Sequence, residues 1–344
     1  MCWRIKQSNQ DFIVVEIPSP ANTFNTKRNY SILTITKSGL RTITVIEILC
    51  RLLNLPESSI VASGLKDEDA ITTQWITVKQ ILTHNDISNL NKSASELLSE
   101  HQSIRVSLFG YSDQSARPGD LLGNAFTITI RNVSDEQLIW LTTNEGVSLP
   151  FINYYDCQRF GLPTGPKLTH RVGDLLINKK SYSKAFEILS LVESELCNNK
   201  PPFISARKFF NSIGSGRKAF YMSSYRSYLW NESVRKLVLT CSQEEQVIAL
   251  SEGEHCFVYL KDIDAIFRAR PLMSALEMKG FKYFNAKINE VARLRPITVS
   301  AAYKIIDIEK KNSASINIVL SFMLPCGSYA TSYLKQLEVF ACKH

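Results

Sequence analysis

Several features that would assign the chain to a common class of protein are missing from the sequence. None of its eight cysteines forms a C-x-x-C pair, and none lies with the five histidines at the spacing of a zinc site. A chain of 344 residues has enough apolar material for hydrophobic cores without disulfide bonds. We therefore expect reduced cysteines in a reducing compartment, and no metal site.

Long apolar runs are missing as well. The N-terminus begins no apolar segment of the kind found in a secretory signal, and the most apolar stretch, residues 316–326, is too short to cross a bilayer. The apolar fraction of 44% is ordinary for a globular protein. We expect a soluble protein of the cytoplasm, or of the nucleus if its source is eukaryotic, without a membrane partner.

Basic side chains are in excess over acidic ones. The chain has 40 lysines and arginines against 32 aspartates and glutamates, which gives a net charge of +8 and a pI of about 9.0. Such a balance favours a polyanionic partner such as a nucleic acid. A merely basic surface without such a partner would produce the same balance, so charge alone leaves both alternatives open.

Hydrophobic periodicity separates the ends of the chain from its middle. Alternating, β-branched segments predict strands at both ends, at residues 12–15, 30–36, 104–109, 126–131, 303–308 and 315–322. The spacing of apolar residues predicts helices elsewhere, at residues 42–56, 134–141, 182–196, 204–210, 220–239 and 328–338. Thr42 and Ser134 are the candidate N-caps of the first two helices. The pattern indicates a β-rich core interrupted by a helical insertion.

The segment from Ser63 to Gln74 is the strongest candidate for a catalytic loop. It reads S-G-L-K-D-E-D-A-I-T-T-Q and lies between predicted strands at 60–62 and 75–78. Loops held between strands are common positions for catalytic groups, and a carboxylate beside a fixed cation is a candidate nucleophile. The alternative is that Asp67 only stabilises a turn through its side chain.

The same segment resembles the G-x-K-D-x-x-A-x-T-x-Q signature of TruD-type pseudouridine synthases. Further blocks resemble that family's motifs in the family's order: K…D-F-x-V-x-E at 6–16, G-N-x-F-x-I at 123–128, N-Y-F-G-x-Q-R-F-G at 153–161, S-A-x-R-S-x-L-F-N at 223–231 and F-x-L-P-x-G-S-F-A-T at 322–331. Because the blocks span nearly the whole chain in one order, coincidence does not explain them.

The resemblance implies a fold and a division into domains. The implied fold class is α+β, with a mixed, mainly antiparallel catalytic sheet and helices, interrupted by an inserted α/β domain named the TRUD domain. The first part of the catalytic domain would cover residues 1–153, the insertion 154–294 and the second catalytic part 295–344. This layout agrees with strands at both ends of the chain and helices between them.

The resemblance also implies an activity. The protein would be an RNA pseudouridine synthase that isomerises uridine, at position 13 of tRNA, with an aspartate nucleophile. The reaction is redox-neutral, so we expect no cofactor and no metal. The implied partner is tRNA, and we expect a monomer without an obligatory protein partner.

By resemblance, Asp67 is the catalytic aspartate and Lys6 is the cation that accompanies it. Lys66 is the weaker candidate for that cation, because successive side chains of an extended segment point to opposite sides.

The substrate-binding residues implied by the resemblance are aromatic or amide side chains. Phe12, Phe126 and Phe322 would stack on a uracil flipped out of the RNA, and Asn124 would bind its N3–H and carbonyl edge. The alternative roles are ordinary ones. Phenylalanines on alternating strands are usually part of the core, and an asparagine after a glycine often forms a turn.

Five basic residues are candidate RNA contacts: Arg159, Arg207, Lys208, Arg217 and Lys218. Arg159 could instead be a buried ion-pair partner, and the two basic pairs could belong to a solvated loop around Gly214.

Two positions depart from the family pattern. Asp156 replaces a glycine and would bring a negative charge near the RNA, and Leu122 stands where a basic residue is common.

Two alternatives to a tRNA-modifying enzyme remain at this stage. One is a non-catalytic RNA-binding relative that acts as a chaperone, and the other is a family member that modifies other RNAs. A pure binding protein has no use for a nucleophile, so the presence of Asp67 in its motif favours the enzyme.

Overall fold

A computed structural model describes residues 3–19, 29–117, 121–161, 165–198, 204–262, 295–312 and 315–342. The chain forms two compact units. Unit 1 contains Met1–Ser148 and Ala301–Gly327, and unit 2 contains Leu149–Ser300 and Ser328–His344. Among the described residues, no helix has the length and apolar character needed to cross a membrane.

The strands, numbered along the chain, are β1 Phe12–Pro18, β2 Tyr30–Ser38, β3 Ile60–Ala62, β4 Ile71–Val78, β5 Ser103–Ser112, β6 Leu121–Val133, β7 Leu149–Ile152, β8 Val247–Glu252, β9 His255–Leu260, β10 Thr298–Ala301, β11 Tyr303–Asn312 and β12 Ser315–Pro325. The helices are α1 Thr42–Leu53, α2 His84–Glu96, α3 Asp135–Thr143, α4 Thr169–Ile177, α5 Tyr182–Val192, α6 Ser194–Asn198, α7 Ala206–Ser212, α8 Ser215–Cys241 and α9 Ala330–Ala341.

Unit 1 is built on an eight-stranded sheet with the order β11-β12-β6-β1-β4-β2-β5, and β3 pairs with β4 at the side of this path. The pair β1–β4 is parallel, whereas the other pairs of this sheet are antiparallel. The predicted mixed, mainly antiparallel sheet is therefore present. The strands also extend beyond the segments that alternation predicted, most of all β6.

Helices α1 and α2 cover one face of this sheet. Because side chains alternate along a strand, every second residue of β2 and β5 points to that face. Leu33, Ile35 and Val106 from the strands form a buried cluster there with Val45 of α1 and Ile87 of α2. Burial of apolar side chains at this face is the main force that holds the helices on the sheet.

Local sequence signals predicted one helix N-cap correctly and another one wrongly. Ser134 caps α3, since its hydroxyl accepts a hydrogen bond from the Gln137 N–H, as predicted. The predicted cap at Thr42 is wrong: Arg41 occupies the N-cap position of α1 without a side-chain cap bond, and Thr42 is already helical. Helix α1 ends at Leu53, and the next residue, Asn54, has a φ of 53°, the left-handed conformation common after a helix.

Unit 2 combines helices with two small sheets. Helix α4 packs against α8 and α5, and β8–β9 and β7–β10 form two-stranded sheets. The close approach of α4 and α8 depends on Gly173, because a Cβ there would lie 2.2 Å from the Tyr221 carbonyl oxygen. The predicted helix at 182–196 is divided into α5 and α6 at Glu193.

Helix α9 packs on β7 within unit 2, where Tyr333 contacts the ring of Phe151 with centroids 5.1 Å apart. The domain prediction placed this helix, with all of residues 295–344, in the second part of the catalytic domain. The assignment of functional domains stays a prediction.

Asp156 is buried in unit 2 and accepts a hydrogen bond of 3.1 Å from the Lys335 ammonium. Its charge is therefore paired inside the unit with an ammonium that Glu252 also contacts. An effect of this charge on RNA binding stays a prediction.

Two buried histidines share an aromatic cluster in unit 2. The ring of His170 stacks on Tyr228 with centroids 4.4 Å apart, and that of His255 stacks on Phe160 at 4.1 Å. Burial, together with the neighbouring His255 and Arg171, lowers the pKa of His170 to about 3. Burial likewise lowers the pKa of His255. Both imidazoles are thus neutral in the folded protein near neutral pH.

We expect substitution of Gly123 by alanine to destabilise unit 1. A Cβ at this position would lie 2.2 Å from the Leu324 carbonyl oxygen, so β6 and β12 would have to separate. Gly123→Ala should lower the free energy of unfolding by about 3 kcal/mol. The matched control is Gly216→Ala in α8, where a Cβ meets nothing within 4 Å, and it should be neutral or raise stability by up to about 1 kcal/mol. Equal stabilities in urea unfolding would contradict this account.

Acid should destabilise the protein through His170. Its folded pKa lies below the usual 6.5, so the unfolded chain binds more protons as pH falls through 6.5, and stability is lost toward low pH. The loss from His170 between about pH 7 and about pH 5 should be about 2 kcal/mol. His170→Phe keeps a flat ring that does not titrate and should remove this part of the pH dependence, measured by urea unfolding. His84→Phe, at an exposed position, should keep the wild-type dependence. The same pH dependence in all three proteins would argue against this explanation.

Candidate active site

The loop formed by residues 63–70 joins β3 to β4 and carries Asp67. Two neighbouring elements hold its backbone on either side of this residue. The Thr42 hydroxyl of α1 accepts a 2.9 Å hydrogen bond from the Lys66 N–H and donates to the Gln74 side chain. The Lys37 ammonium of β2 donates a 2.7 Å hydrogen bond to the Asp67 carbonyl oxygen. The loop is thus fixed although it has no regular secondary structure.

Lys6 and Asp67, the two predicted catalytic residues, form an ion pair with 2.8 Å between Nζ and Oδ2. The Lys6 side chain is 16% exposed and that of Asp67 is 38% exposed, so the carboxylate remains open to solvent and to a substrate. Lys6 has a φ of 57°, which is uncommon for a residue with a side chain. Its ammonium also lies 4.3 Å from the ring centroid of Phe12, a favourable cation–π distance.

Lys66 points away from this pair, as alternation along an extended segment predicts. Its ammonium lies 2.7 Å from a carboxylate oxygen of Glu16, which is buried on β1. The other oxygen of Glu16 accepts a 2.8 Å hydrogen bond from the Trp75 N–H. Glu16 therefore ties β1 to both sides of the Asp67 loop, a role that the sequence did not suggest. The available signal was its place as the last residue of the K…D-F-x-V-x-E block, two residues after Val14 and on the face of β1 that carries Phe12.

The three predicted stacking residues lie together on adjacent strands of unit 1. Phe12 meets Phe126 edge to face with centroids 6.1 Å apart, and Phe126 stacks on Phe322 at 5.4 Å. Their exposed fractions are 3%, 7% and 3%, so the rings are largely covered by protein. This burial fits the alternative that they belong to the core. A stacking role for them stays a prediction.

Asn124 lies on β6, two residues before Phe126 and opposite Glu16 of β1 in the strand register. Its side-chain oxygen is buried without a hydrogen-bond partner in the part of the chain that the structure describes. An unpaired buried acceptor costs roughly 1–3 kcal/mol, and such groups often have a functional explanation. The amide is therefore suited to accept a hydrogen bond from a ligand.

Lys37 is a further residue of this region that the sequence analysis missed. It is fully buried, and its ammonium donates to the Leu40 carbonyl at 2.6 Å as well as to that of Asp67. Burial lowers its pKa to about 8, although the charges of Asp67 and Glu68 act in the opposite direction. The available signal was the alternation of β2, which places Leu33, Ile35 and Lys37 on one inward face.

The predicted RNA contacts all lie in unit 2. Arg159 donates hydrogen bonds to the hydroxyls of Ser223 and Ser227 on α8 and has no carboxylate partner among the described residues. Arg207 and Lys208 are exposed on α7. Arg217 and Lys218 lie in the first turn of α8, where Arg217 pairs with Glu193 at 3.2 Å and Lys218 donates to Asn211 at 3.4 Å. The predicted loop between the two pairs is reduced to residues 213–214.

Comparison with known proteins gives consistent matches. A family model described as tRNA pseudouridine synthase D (TruD) matches residues 1–218. The "Probable tRNA pseudouridine synthase D 1" of Methanococcus maripaludis is 23% identical over 97% of this chain and 99% of that protein. The tRNA pseudouridine synthase D of Legionella pneumophila (strain Lens) is 28% identical over 95% of this chain and 92% of that protein.

A solved structure described as a tRNA pseudouridine synthase D from Methanosarcina mazei covers 97% of this chain and 93% of its own. The TM-score is 0.51 and the identity 20%, so this likeness concerns the fold, and it confirms the predicted α+β class. The family model extends over well over half of the chain, and the protein therefore belongs to the tRNA pseudouridine synthase D (TruD) family.

Proposed function

We propose that the protein isomerises uridine to pseudouridine in tRNA, at position 13, with Asp67 as the nucleophile. Membership of the TruD family and relatives named as tRNA pseudouridine synthases support the reaction and the substrate. The observation that carries the assignment to Asp67 is its ion pair with Lys6 on a fixed, partly exposed loop.

The reaction exchanges one glycosidic bond for another. A carboxylate oxygen of Asp67 attacks C1′ of the nucleoside as the bond between C1′ and N1 breaks, which leaves the uracil with the electron pair. After the base turns within the site, C5 attacks C1′ and the carboxylate is released. C5 then loses its proton and N1 gains one, so the product is an isomer of the substrate and nothing is oxidised.

Lys6 and Asn124 have supporting roles in this proposal. The Lys6 ammonium holds one carboxylate oxygen of Asp67, at 2.8 Å, and leaves the other free to attack. The unpaired side-chain oxygen of Asn124 can accept the N3–H of uracil, and its NH₂ group can donate to a uracil carbonyl. Phe12 contacts the Lys6 ammonium, and Phe126 and Phe322 extend this row of rings along the neighbouring strands. In this proposal the flipped base stacks on these rings once the RNA is bound.

Binding of tRNA is assigned to basic residues of unit 2. Arg207 and Lys208 are exposed on α7, and the neighbouring Arg217 and Lys218 begin α8. Basic side chains bind phosphates, position the RNA and make affinity dependent on salt.

The buried free cysteines Cys50, Cys157 and Cys197 fit a reducing compartment, and we place the protein in the cytoplasm, or in the nucleus of a eukaryote.

The rival function is RNA binding without catalysis, as in a chaperone. The ion pair of Asp67 with Lys6 on a fixed, partly exposed loop argues against it, because a protein that only binds RNA has no use for a nucleophile. A protein that refolds tRNA but forms no pseudouridine in carbodiimide-based mapping would establish the rival instead.

Asp67→Asn should lower turnover by more than about 1,000-fold, because an amide is a far poorer nucleophile than a carboxylate of the same size. Affinity for tRNA should stay within about twofold, since the amide keeps the size of the carboxylate and its hydrogen-bonding capacity, and most of the affinity comes from phosphate contacts made by basic residues. Pseudouridine is measured by carbodiimide mapping, and affinity by titration of labelled tRNA. Asp69→Asn makes the same change at an exposed position of the same loop and should remain active. Turnover of the Asp67 variant near that of the Asp69 variant would remove Asp67 from its role.

The double variant Arg207→Gln/Lys208→Gln should weaken tRNA binding and reduce its salt dependence. Each lost phosphate contact lowers the slope of log affinity against log salt by roughly 0.7–0.9. The control Lys79→Gln/Lys92→Gln makes the same change of net charge at exposed positions of unit 1. If both double variants change affinity and slope equally, the α7 residues contribute only general charge and are not a specific contact.

A further inference from the structure

Lys37 has an environment that is unusual for a lysine. It lies on the inward face of β2, opposite Thr72 of β4 and Ile104 of β5, and none of its surface is exposed. Its two hydrogen bonds go to backbone carbonyls, those of Leu40 at 2.6 Å and Asp67 at 2.7 Å. Burial of an ammonium group among apolar side chains is unfavourable, and an unbranched apolar side chain would fill the same space without that disadvantage.

The hydrogen bonds of Lys37 connect two segments that the strands do not join directly. One is the turn at Leu40 that leads into α1, and the other is the loop of residues 63–70. Thr42 of α1 holds the Lys66 N–H of that loop. Both ends of the Lys66–Asp67 dipeptide are therefore anchored, the first by a hydroxyl of α1 and the second by the ammonium of β2. Fixing both ends limits the directions in which the Asp67 side chain can leave the backbone.

We propose that Lys37 is a positioning residue for the nucleophile. It acts through the Asp67 carbonyl and holds the Asp67 carboxylate against Lys6, in the orientation from which it attacks C1′. This inference rests on the proposed function of Asp67 and adds a group that does not itself touch the substrate. The two cations have different tasks: Lys6 binds the carboxylate, and Lys37 binds the backbone that carries it.

The positioning role predicts a loss of activity that is larger than any change in stability explains. Lys37→Met removes the unfavourable burial of an ammonium group but also leaves the Leu40 and Asp67 carbonyls without their donor, so the two effects on stability oppose each other. A loop freed by such a replacement loses the alignment of its nucleophile, and a displacement of about 1 Å can reduce the rate of a reaction by about 100-fold. A purely structural lysine would instead lower stability, with activity falling only as the protein unfolds.

The test compares Lys37→Met with wild type and with Lys92→Met, the same change at an exposed position of α2. We expect Lys37→Met to lower kcat on tRNA by about 100-fold, with KM and tRNA affinity within about twofold and with a Tm that stays well above the assay temperature. Lys92→Met should leave all four quantities unchanged. An unchanged kcat for Lys37→Met would overturn the inference. So would a fall in kcat that matches a lower Tm and a smaller folded fraction.

Lys37→Gln is the second variant, in case the methionine variant does not fold. Its amide suits the polar carbonyls but is too short to reach Asp67 from β2, so the same loss of kcat at unchanged KM is expected. Wild-type kcat in this variant would overturn the inference. The proposed function has a separate test: if Asp67→Asn is inactive while both Lys37 variants retain full kcat, the nucleophile stands and only the positioning role fails.

Discussion

The parallel pairing of β1 with β4 is the constraint on which the site depends. Ile13 lies opposite Ile71 in this pair, so the N-terminal ends of the two strands, and the segments that precede them, lie at the same end of the sheet. Lys6 precedes β1 and Asp67 precedes β4, and their side chains meet there at 2.8 Å. With antiparallel pairing, the segments that precede these two strands would lie at opposite ends of the sheet.

The site is built on the same face of the sheet as the hydrophobic core, which explains its many mutual contacts. Polar groups on that face must find partners within the protein, because water is excluded from most of it. Glu16 binds Lys66 and the Trp75 backbone, Thr42 binds Gln74, and Lys37 binds carbonyls. These partners surround the Asp67 loop on the protein side. The Asp67 carboxylate lies on the other side of the loop, where it is partly exposed to solvent. The backbone of the loop is therefore held in place while its reactive group remains accessible.

Some buried ionisable groups of unit 2 are paired with an opposite charge, and others are kept neutral. Lys335 pairs with both Asp156 and Glu252, and the cluster around His170 and His255 keeps its imidazoles neutral among aromatic rings. Of the predicted RNA contacts, Arg207 and Lys208 on α7 are exposed. Arg217 is paired with Glu193, Lys218 donates to Asn211, and Arg159 donates to two serine hydroxyls of α8.

The sequence by itself determined the strands of unit 1, most of the helices and the family, because alternation, helical spacing and ordered motifs are properties of residues close together in the chain. It also singled out Asp67, Lys6, Asn124 and the three phenylalanines. Only the tertiary structure decided that β1 and β4 are parallel, that the three rings are nearly covered, and that α9 packs with unit 2. The structure likewise placed Glu16 and Lys37 around the Asp67 loop. Strand pairing and burial depend on contacts between residues far apart in the chain, and a buried lysine has the same local sequence signal as an exposed one until its neighbours are known.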